Sequence, residues 1–252
     1  MKIQSEAVCV KPLVVPERSM KKIAIVQSCY IPWKGFFDII ASVDEFILYD
    51  DMQYTRRDWR NRNRIKTPQG AQWLTIPVEV KGRYLQKICE TRVSDPRWRE
   101  SHWRSLRANY GKAPFMSLYQ PAFEELYLGS DEVMLSQINY NFITAICRLL
   151  GIETPITWSM DYNIDGSKTD RLVNLCKATN ATHYLSGPSA QNYIEAEKFE
   201  AENIELEYVD YTGYPEYLQL HGAFSHQVSV VDLLFNTGKD APKYMKNIRG
   251  GI

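Results

Sequence analysis

The sequence IAIVQSCYIPWKGFFDII, residues 23–40, predicts the start of an α/β fold. Its first four residues are apolar and largely β-branched, which is typical of a strand buried in a parallel sheet. Pro32 and Gly35 indicate a loop after this run, and apolar residues then recur at helical spacing. Residues 45–49, EFILY, predict a second strand. A strand, a helix and a strand in so short a stretch form a βαβ unit, in which a right-handed crossover joins two parallel strands.

Strands and helices alternate again in the second half of the chain. Alternation in both halves favours an α/β class with a mainly parallel sheet flanked by helices, in a doubly wound arrangement. Strands are predicted at residues 156–158, 183–186 and 204–210, and helices at residues 169–178, from Ala190 onward and at residues 224–235.

The middle of the chain has a different pattern. Residues 97–110 and 121–150 carry apolar side chains at helical spacing, and residues 72–78 predict a strand that lies near a sheet edge because of Pro77. A helical insertion within the doubly wound fold is therefore an open alternative.

The first twenty residues differ from the rest. They include charged side chains and two prolines, and they lack the continuous apolar core of a secretion signal. We predict a flexible extension at residues 1–20 and a single α/β domain at residues 21–252, with a subdivision near residue 151 as the alternative. No other run approaches the ~18 apolar residues that cross a bilayer. The chain is therefore predicted to be cytoplasmic without membrane insertion, and its oligomeric state is left open.

Charge and cysteine content exclude several classes of protein. Thirty Lys and Arg balance thirty Asp and Glu, and the pI is near 6.9. A globally basic coat for non-specific binding of nucleic acid or anionic membranes is therefore excluded. Five scattered cysteines without a CxxC pair argue against a disulfide framework and against a zinc site. No metal site is predicted, and an anion site requires a local concentration of charge.

Residues 51–66 provide such a concentration, with six Arg or Lys against two Asp. Guanidinium groups bind phosphate oxygens in pairs, and Asn, Gln and Trp add hydrogen bonds and a stacking surface. The segment suits a diphosphate, a nucleotide or an acidic sugar; the alternative is a solvated basic loop whose ion pairs contribute little. The candidate residues are Asp51, Gln53, Tyr54, Arg56, Trp59, Arg60, Asn61, Arg62 and Asn63.

Three other segments offer candidate ligand contacts. The loop after the first strand supplies an amide, a phenol, an indole and a cation where open parallel sheets bind ligands, although it has no Walker or dinucleotide glycine pattern. A glycine turn follows the strand at residues 183–186, and a helix that begins at residues 168–171 brings further cations. A tyrosine-rich segment before a histidine suits a sugar and a general base, although tyrosines pack into cores equally well. The candidates are Gln27, Tyr30, Trp33, Lys34, Arg171, Ser186, Gly187, Tyr211, Tyr214, Tyr217 and His226.

Eight segments together carry a family resemblance. They are IVQ (25–27), YIPWKGFF (30–37), YDDMQY (49–54), WRNRN (59–63), NYGKAP (109–114), ATHYLSGP (181–188), DYTGYPEYLQ (210–219) and VSVVDLLFN (228–236). On these residues the chain, from about Lys21 to Met245, resembles the WbqC-like family of bacterial proteins found in surface-polysaccharide (O-antigen) gene clusters. The family usually has Gln-Pro where this chain has Gln27-Ser28, so the family's turn geometry is not carried over.

The resemblance implies a transferase that adds an aminoacyl (glycyl) group to the amine of a nucleotide-linked amino sugar. Such a reaction needs cations for the diphosphate, a base for the ammonium and donors for the tetrahedral oxyanion. The amino acid is expected as an ATP-formed adenylate with magnesium, an aminoacyl-tRNA or a thioester, and the cofactor is left open. The candidates are Arg56, Arg60, Arg62 and Arg171 for the diphosphate, Asp51 or His226 for the base, and Asn61, Asn63 or the Gly187 backbone for the oxyanion.

Two alternatives remain at this point. One is another acyl or glycosyl transferase of the same pathway. The other is a non-catalytic nucleotide- or RNA-binding protein that stacks bases on the Arg and Trp side chains of residues 51–66. The neutral overall charge argues against the second.

Overall fold

A computed structural model describes residues 19–248, so residues 1–18 of the predicted extension lie outside the described part, as do residues 249–252. No helix within residues 19–248 combines the length and apolar character needed to cross a membrane. The strands are β1 (Lys22–Val26), β2 (Glu45–Leu48), β3 (Arg62–Thr67), β4 (Gly70–Thr75), β5 (Ile156–Trp158), β6 (His183–Ser186) and β7 (Glu205–Tyr208). The helices are α1 (Lys34–Ala41), α2 (Trp98–Tyr110), α3 (Met116–Leu128), α4 (Leu135–Leu150), α5 (Lys168–Ala178), α6 (Ala196–Glu200) and α7 (Val230–Thr237).

Five strands form one parallel sheet in the order β5-β2-β1-β6-β7. The central strand β1 places Ile25 opposite Ile47 of β2, and Ile23 opposite Tyr184 of β6. Parallel strands need crossover connections: α1 joins β1 to β2, α5 joins β5 to β6 across the sheet, and α6 joins β6 to β7. The predicted α/β class with a mainly parallel sheet is confirmed.

Side chains alternate across this sheet and enter two separate cores. Ile23 and Ile25 of β1 pack in a core with α5 and α6, whereas Ala24 packs in a larger core that contains residues of α1, α4 and α7. On β2, Ile47 likewise enters the first core and Phe46 the second. Helices therefore cover both faces, which is the predicted doubly wound arrangement.

The chain between β2 and β5 forms an insertion, which contains the antiparallel hairpin β3–β4 and the helices α2, α3 and α4. The helical pattern predicted over residues 121–150 belongs to two helices, because α3 ends at Leu128 and α4 begins at Leu135. Gly129, Ser130 and Asp131 follow α3 and favour a turn over a continued helix. The basic segment at residues 51–66 is a loop only in part, since its last residues form β3.

A buried polar cluster joins the hairpin to α7. Asp232 is fully buried and accepts hydrogen bonds from the hydroxyls of Tyr110 at 2.8 Å and Tyr217 at 2.7 Å. Gln219 donates its Nε2 to the same carboxylate at 2.8 Å, and its Oε1 accepts a bond from Lys66 Nζ at 2.5 Å. Burial raises the pKa of Asp232, and the three donors oppose that rise. This cluster fixes the position of residues 217–219 against β3 and α7.

Removal of the Asp232 carboxylate tests the cluster. In Asp232→Ala, two buried hydroxyls lose their acceptor and Lys66 loses the nearby negative charge. We expect the free energy of unfolding to fall by about 3–5 kcal/mol, measured by urea denaturation. Asp240→Ala, which removes an exposed partner of Lys243, is the matched control and should change stability by less than about 0.5 kcal/mol. Equal effects of the two substitutions would contradict the role of the cluster.

A second buried cluster contains Tyr30. Its hydroxyl lies 2.9 Å from His102 Nδ1 and 2.6 Å from the Tyr127 hydroxyl, and the Tyr30 side chain is fully buried. Burial lowers the pKa of His102 from its ordinary 6.5 to about 4, so the imidazole is neutral near pH 7. Tyr30 was predicted to contact substrate, and the structure instead places it in the core, where tyrosine hydroxyls commonly pair.

His102 predicts a specific acid sensitivity. Between about pH 6.5 and pH 4 the unfolded chain binds a proton at His102 that the folded protein does not bind, so folding stability falls as the pH falls. This one group should cost the wild type about 3 kcal/mol over that interval. Urea denaturation at both ends of the interval should show a smaller loss in His102→Phe. Parallel losses in the two proteins would contradict the assignment.

Candidate functional site

The sheet opens a crevice between β1 and β6. The chain leaves β1 toward α1 in the larger core and leaves β6 toward α6 in the smaller core, so the two connections diverge to opposite faces. In open α/β sheets, ligands bind beyond the carboxyl ends of the strands at such a switch in topology. A cavity of about 770 Å³ lies here. We call it the switch-point cleft, and its lining includes Gln27, Gln53, Arg60, Lys168, Gly187 and Glu195.

Five residues selected from the sequence line this cleft together. Gln27 follows β1, Gln53 and Arg60 come from the basic segment, and Ser186 and Gly187 end β6. A Cβ placed on Gly187 meets no atom within 4 Å, so the glycine leaves open space in the cleft rather than fitting close packing. Segments far apart in the sequence therefore meet at one cavity.

Arg60 holds the loop after β1 in place. Its Nη1 donates to the carbonyl oxygens of Gln27 at 3.0 Å and Ser28 at 3.2 Å, and lies 3.0 Å from Cys29 Sγ. The Nε lies 3.8 Å from Asp58 Oδ2 and is buried without a hydrogen-bond partner among the described residues. The guanidinium thus forms part of the cleft wall and fixes the loop at the same time.

A buried carboxylate lies beneath this loop. Asp50 is fully buried and accepts a hydrogen bond from the Ser28 backbone N at 2.8 Å and another from the Ser136 hydroxyl. Asn139 of α4 donates to Ser28 Oγ at 2.9 Å and to the Arg60 carbonyl at 2.8 Å. Burial raises the pKa of Asp50, against the lowering effect of these donors. The loop after β1 is therefore fixed from below by polar groups of the insertion.

The amino end of α5 adds a cation to the cleft. Lys168 begins this helix, is exposed, and has a φ of 51°, a left-handed conformation that side chains other than glycine rarely adopt. Strain of this kind is frequent at functional sites. The partial positive charge of the helix N-terminus and the Lys168 ammonium both favour a bound anion. The sequence analysis selected Arg171 from residues 168–171, whereas in the structure Lys168 lines the cleft.

Sequence reasoning missed one acidic residue of the cleft. Glu195 is exposed, and its backbone N donates to Thr169 Oγ1 at 3.3 Å. It is the one acidic residue among the described residues that line the cleft, and its Oε1 lies 3.4 Å from Lys198 Nζ. No pattern in the sequence distinguishes Glu195 from a surface glutamate, because only the tertiary contact with α5 brings it to the cleft.

Asp51 and Arg171, both predicted site residues, pair with each other. Arg171 donates to Asp51 Oδ2, and Ser159 donates its hydroxyl to Asp51 Oδ1 at 2.5 Å. Both side chains are mostly buried, and neither lines the switch-point cleft. The structure therefore assigns the Arg171 guanidinium to an internal ion pair rather than to a diphosphate, and Asp51 to that same pair rather than to a base.

A second cavity of about 490 Å³ lies beside the loop after β1. We call it the aromatic cavity, and its lining includes Trp33, Phe36, Trp59, Asn63, Arg64 and His226. Cys29 lines it too, so the contact between Cys29 and Arg60 lies between the two cavities. The predicted site residues are thus divided, and His226 and Asn63 do not share a cavity with Gly187.

Two indole rings and two guanidinium groups pack against one another beside the aromatic cavity. Trp59 and Trp73 lie 5.3 Å apart between ring centroids and are 42% and 40% exposed. The Arg62 guanidinium lies 4.1 Å from the Trp73 ring centroid, and the Arg64 guanidinium 5.3 Å from it. Planar cations and rings are therefore presented together at the surface.

The side-chain amides of Asn61 and Asn63 form hydrogen bonds with backbone carbonyls. Asn63 Nδ2 donates to the carbonyls of Tyr30 at 3.1 Å and Ile31 at 2.9 Å, and Ile31 has a φ of 35°. Asn61 Nδ2 donates to the Ile76 carbonyl at 2.7 Å. The strained turn at Ile31 is thus stabilised by Asn63, whose amide N–H₂ is fully used by these two carbonyls. Asn61 is buried and lines neither cavity, so its amide does not face a ligand there.

Lys34 and two tyrosines lie in the protein interior. Lys34 Nζ donates to the carbonyls of Pro215 and Tyr244, both at 2.9 Å, and burial lowers its pKa to about 8. Tyr214 and Tyr217 are buried beside this ammonium. These three predicted contacts therefore stabilise the chain around residues 214–217.

The remaining predicted contacts lie outside both cavities. Tyr54 is buried, Arg56 lies over the Tyr84 ring at 5.7 Å, and Tyr211 packs edge-on against Trp33 at 5.0 Å. None of these three lines the switch-point cleft or the aromatic cavity.

Three residues of types that can bind a metal ion lie at the amino ends of β6 and β7, at the other end of the sheet from the switch-point cleft. His183, Glu205 and Glu207 place ligand atoms within 4.8 Å of one another where β6 and β7 begin. Lys22 Nζ already lies 2.8 Å from Glu207, so an ammonium supplies positive charge there. This group is remote from both cavities.

Comparison with known proteins identifies relatives of the chain. It is 51% identical over 230 residues to the uncharacterized protein Rv1507c of Mycobacterium tuberculosis (strain ATCC 25618 / H37Rv), a match that covers 91% of this chain and 100% of that protein. No solved structure matched. The model of the WbqC-like protein family matches residues 27–244, which include every lining residue of the aromatic cavity and all but Ile25 and Val26 of the switch-point cleft. The chain therefore belongs to the WbqC-like protein family.

Proposed function

We propose that this protein is a transferase that binds a nucleotide-linked amino sugar in the switch-point cleft and adds an aminoacyl group, such as glycyl, to its amine. The observation that supports this most strongly is the single cavity that joins Gln27, Gln53 and Arg60 to Ser186 and Gly187. Its volume lies within the range of cofactor and substrate sites. Family membership supports the same assignment.

The anionic part of the substrate is proposed to lie at the amino end of α5. Lys168 and the helix N-terminus attract the diphosphate, and Gly187 lets it approach the backbone. The amides of Gln27 and Gln53 and the Ser186 hydroxyl then face the sugar, where they offer both donors and acceptors. Lys168 replaces Arg171 in this proposal, because Arg171 is paired with Asp51.

The chemistry needs one base and one polarised carbonyl. The sugar amine attacks the acyl carbon, a C–N bond forms, and the bond from that carbon to its oxygen or sulfur leaving group breaks, with the electron pair on the leaving group. The amine gives up its proton to a base, and Glu195 is the carboxylate that lines the cleft. The tetrahedral oxyanion is assigned to backbone N–H groups at the Gly187 turn, since Asn61 and Asn63 bind carbonyls elsewhere.

The reaction itself can be tested by product mass. Purified protein is incubated with UDP- or dTDP-linked 4-amino-6-deoxy sugars and glycine, supplied with ATP and magnesium, as glycyl-tRNA or as a glycyl thioester. We expect the sugar nucleotide to gain the mass of one glycyl residue with one of these donors. A hexose transferred from the nucleotide would instead support a glycosyl transferase. Absence of any product, together with no sugar-nucleotide binding by calorimetry, would refute the proposal.

Gly187→Val tests the position of the acceptor. The φ of −72° suits valine, and a Cβ meets no protein atom, so stability should change by less than about 0.5 kcal/mol. The valine methyl groups fill the cleft, and the Kd for the sugar nucleotide should rise roughly tenfold or more. Calorimetric titration measures this, with Gly187→Ala expected to give an intermediate value. Unchanged binding in the valine variant would place the substrate elsewhere.

Lys168→Gln tests the charge at the amino end of α5. Loss of a charge-assisted hydrogen bond to phosphate should raise the Kd roughly tenfold and make binding less sensitive to salt. Lys177→Gln changes the same residue type near the other end of α5, where the ammonium pairs with Glu202, and should leave the Kd unchanged. If both variants bind like the wild type, Lys168 does not contact the diphosphate.

A further inference from the structure

We propose that the aromatic cavity is a second substrate site, which binds the adenosine moiety of the activated acyl donor. This inference rests on the proposed aminoacyl transfer, because only a two-substrate reaction requires a donor site. The volume of about 490 Å³ accommodates a nucleoside, and the cavity is bounded mainly by rings and other apolar groups.

The lining favours a flat aromatic ligand. Trp33 and Trp59 both line the cavity, and Trp59 keeps 42% of its surface exposed in the free protein. Trp59 already packs against Trp73, and stacking of a base on its exposed surface would stabilise a complex. A purine, with two fused rings, covers more of an indole than a pyrimidine does.

Charge at the cavity mouth suits the phosphate of a nucleotide. Arg64 lines the cavity and is held by a 2.8 Å bond from its Nη2 to Gln227 Oε1. Arg62 is stacked on Trp73 next to it. Guanidinium groups fixed in this way lose little freedom when they bind phosphate oxygens.

Two polar atoms of the cavity lining, His226 Nδ1 and Arg64 Nε, have no hydrogen-bond partner among the described residues. The His226 ring packs edge-on against Phe224 at 4.5 Å between centroids, and its Nδ1 is buried. A rotation of the His226 ring brings this nitrogen to a ligand in the cavity, where it can form a hydrogen bond. The edge of a purine carries the donors and acceptors that such a contact needs. Sequence analysis proposed His226 as a base, and here it is a ligand-binding residue.

The chemistry of acyl activation identifies the nucleoside. An amino acid must be activated before an amine attacks it, and an adenylate, the 3′ ester of a tRNA and a coenzyme A thioester all carry adenosine in the leaving group, next to the acyl bond in the first two and at the far end of the pantetheine arm in the third. A covalent intermediate on Cys29 is disfavoured, because burial raises the pKa of its thiol to about 11 in spite of Arg60. The donor therefore has to be held as such, in a site of its own.

The two cavities lie on either side of the loop after β1. Arg60 lines the switch-point cleft, and its Nη1 lies 3.0 Å from the sulfur of Cys29, which lines the aromatic cavity. The donor and the acceptor are thus proposed to bind on opposite sides of the contact between Arg60 and Cys29. A shift of the loop after β1 would then affect both sites.

Calorimetric titration with AMP tests the site. AMP should bind the wild type, and UMP should bind more weakly because its single ring covers less of the indoles. Trp59→Ala should raise the Kd for AMP roughly tenfold or more, whereas Trp59→Phe, which keeps a ring, should retain most of the affinity. His226→Ala should weaken AMP binding as a second variant, and thermal unfolding of each variant confirms that it is folded. Titration with coenzyme A and with an RNA oligonucleotide that ends in CCA then identifies the source of the adenosine, as the ligand that binds most tightly.

The controls separate this inference from the proposed function. Gly187→Val should weaken binding of the sugar nucleotide and leave AMP binding unchanged, whereas Trp59→Ala should do the reverse. AMP binding that is lost in Gly187→Val and kept in Trp59→Ala would place the nucleotide in the switch-point cleft and overturn the inference. No binding of AMP, coenzyme A or the oligonucleotide would overturn it as well. Loss of sugar-nucleotide binding alone, with the AMP site intact, would refute only the proposed acceptor.

Discussion

The carboxylate of Asp50 is the constraint on which both cavities depend. It is fully buried just after β2 and accepts a hydrogen bond from the backbone N of Ser28, two residues beyond the end of β1. Asn139 extends the same network to the Arg60 carbonyl, so α4 of the insertion, the loop after β1 and the basic segment are held by one set of hydrogen bonds. A buried carboxylate is stable only when hydrogen-bond donors surround it. Movement of the loop after β1 would remove the Ser28 donor from Asp50 and leave a buried charge without its partner, so the loop has little freedom to move.

Arg60 connects this hydrogen-bond network to the wall of the switch-point cleft. With its Nη1 on the carbonyls of Gln27 and Ser28, the guanidinium cannot swing freely toward a ligand, and it functions as a rigid wall. The other cation of the cleft lining is Lys168, which is exposed. A fixed guanidinium in the wall is consistent with the proposed binding of a diphosphate, because little side-chain entropy is lost at the wall when a ligand binds.

The parts of this fold that local sequence determines were predictable, and those set by tertiary contacts were not. The βαβ start and the later strands follow from apolar periodicity, and the rule for parallel sheets placed the candidate ligand site at the carboxyl ends of β1 and β6. Strand β3 was missed because its alternate positions are Arg62, Arg64 and Lys66, of which the first two are half-buried and the third is buried, so its alternation carries little hydrophobic signal. The roles of individual tyrosines were unpredictable for a different reason: a hydroxyl that pairs with Asp232 or with His102 in the core has the same residue type as one that binds a sugar. Glu195 had no local signal at all.

The positions of the buried polar clusters indicate which parts of the fold they hold in place. Apolar side chains of similar size in place of a buried ionic group are often neutral or stabilising, so such groups contribute position more than stability. Two of the buried polar clusters lie beside the cavities: Asp50 lies under the loop that separates the cavities, and Asp232 fixes the segment before His226 against β3, which carries Asn63 and Arg64. Each of these two clusters therefore orients residues that line a cavity. The chain as a whole is electrically neutral, so no overall electrostatic field attracts a charged ligand. Selection of a ligand therefore depends on the positions of individual charged groups, some held by hydrogen bonds and some free.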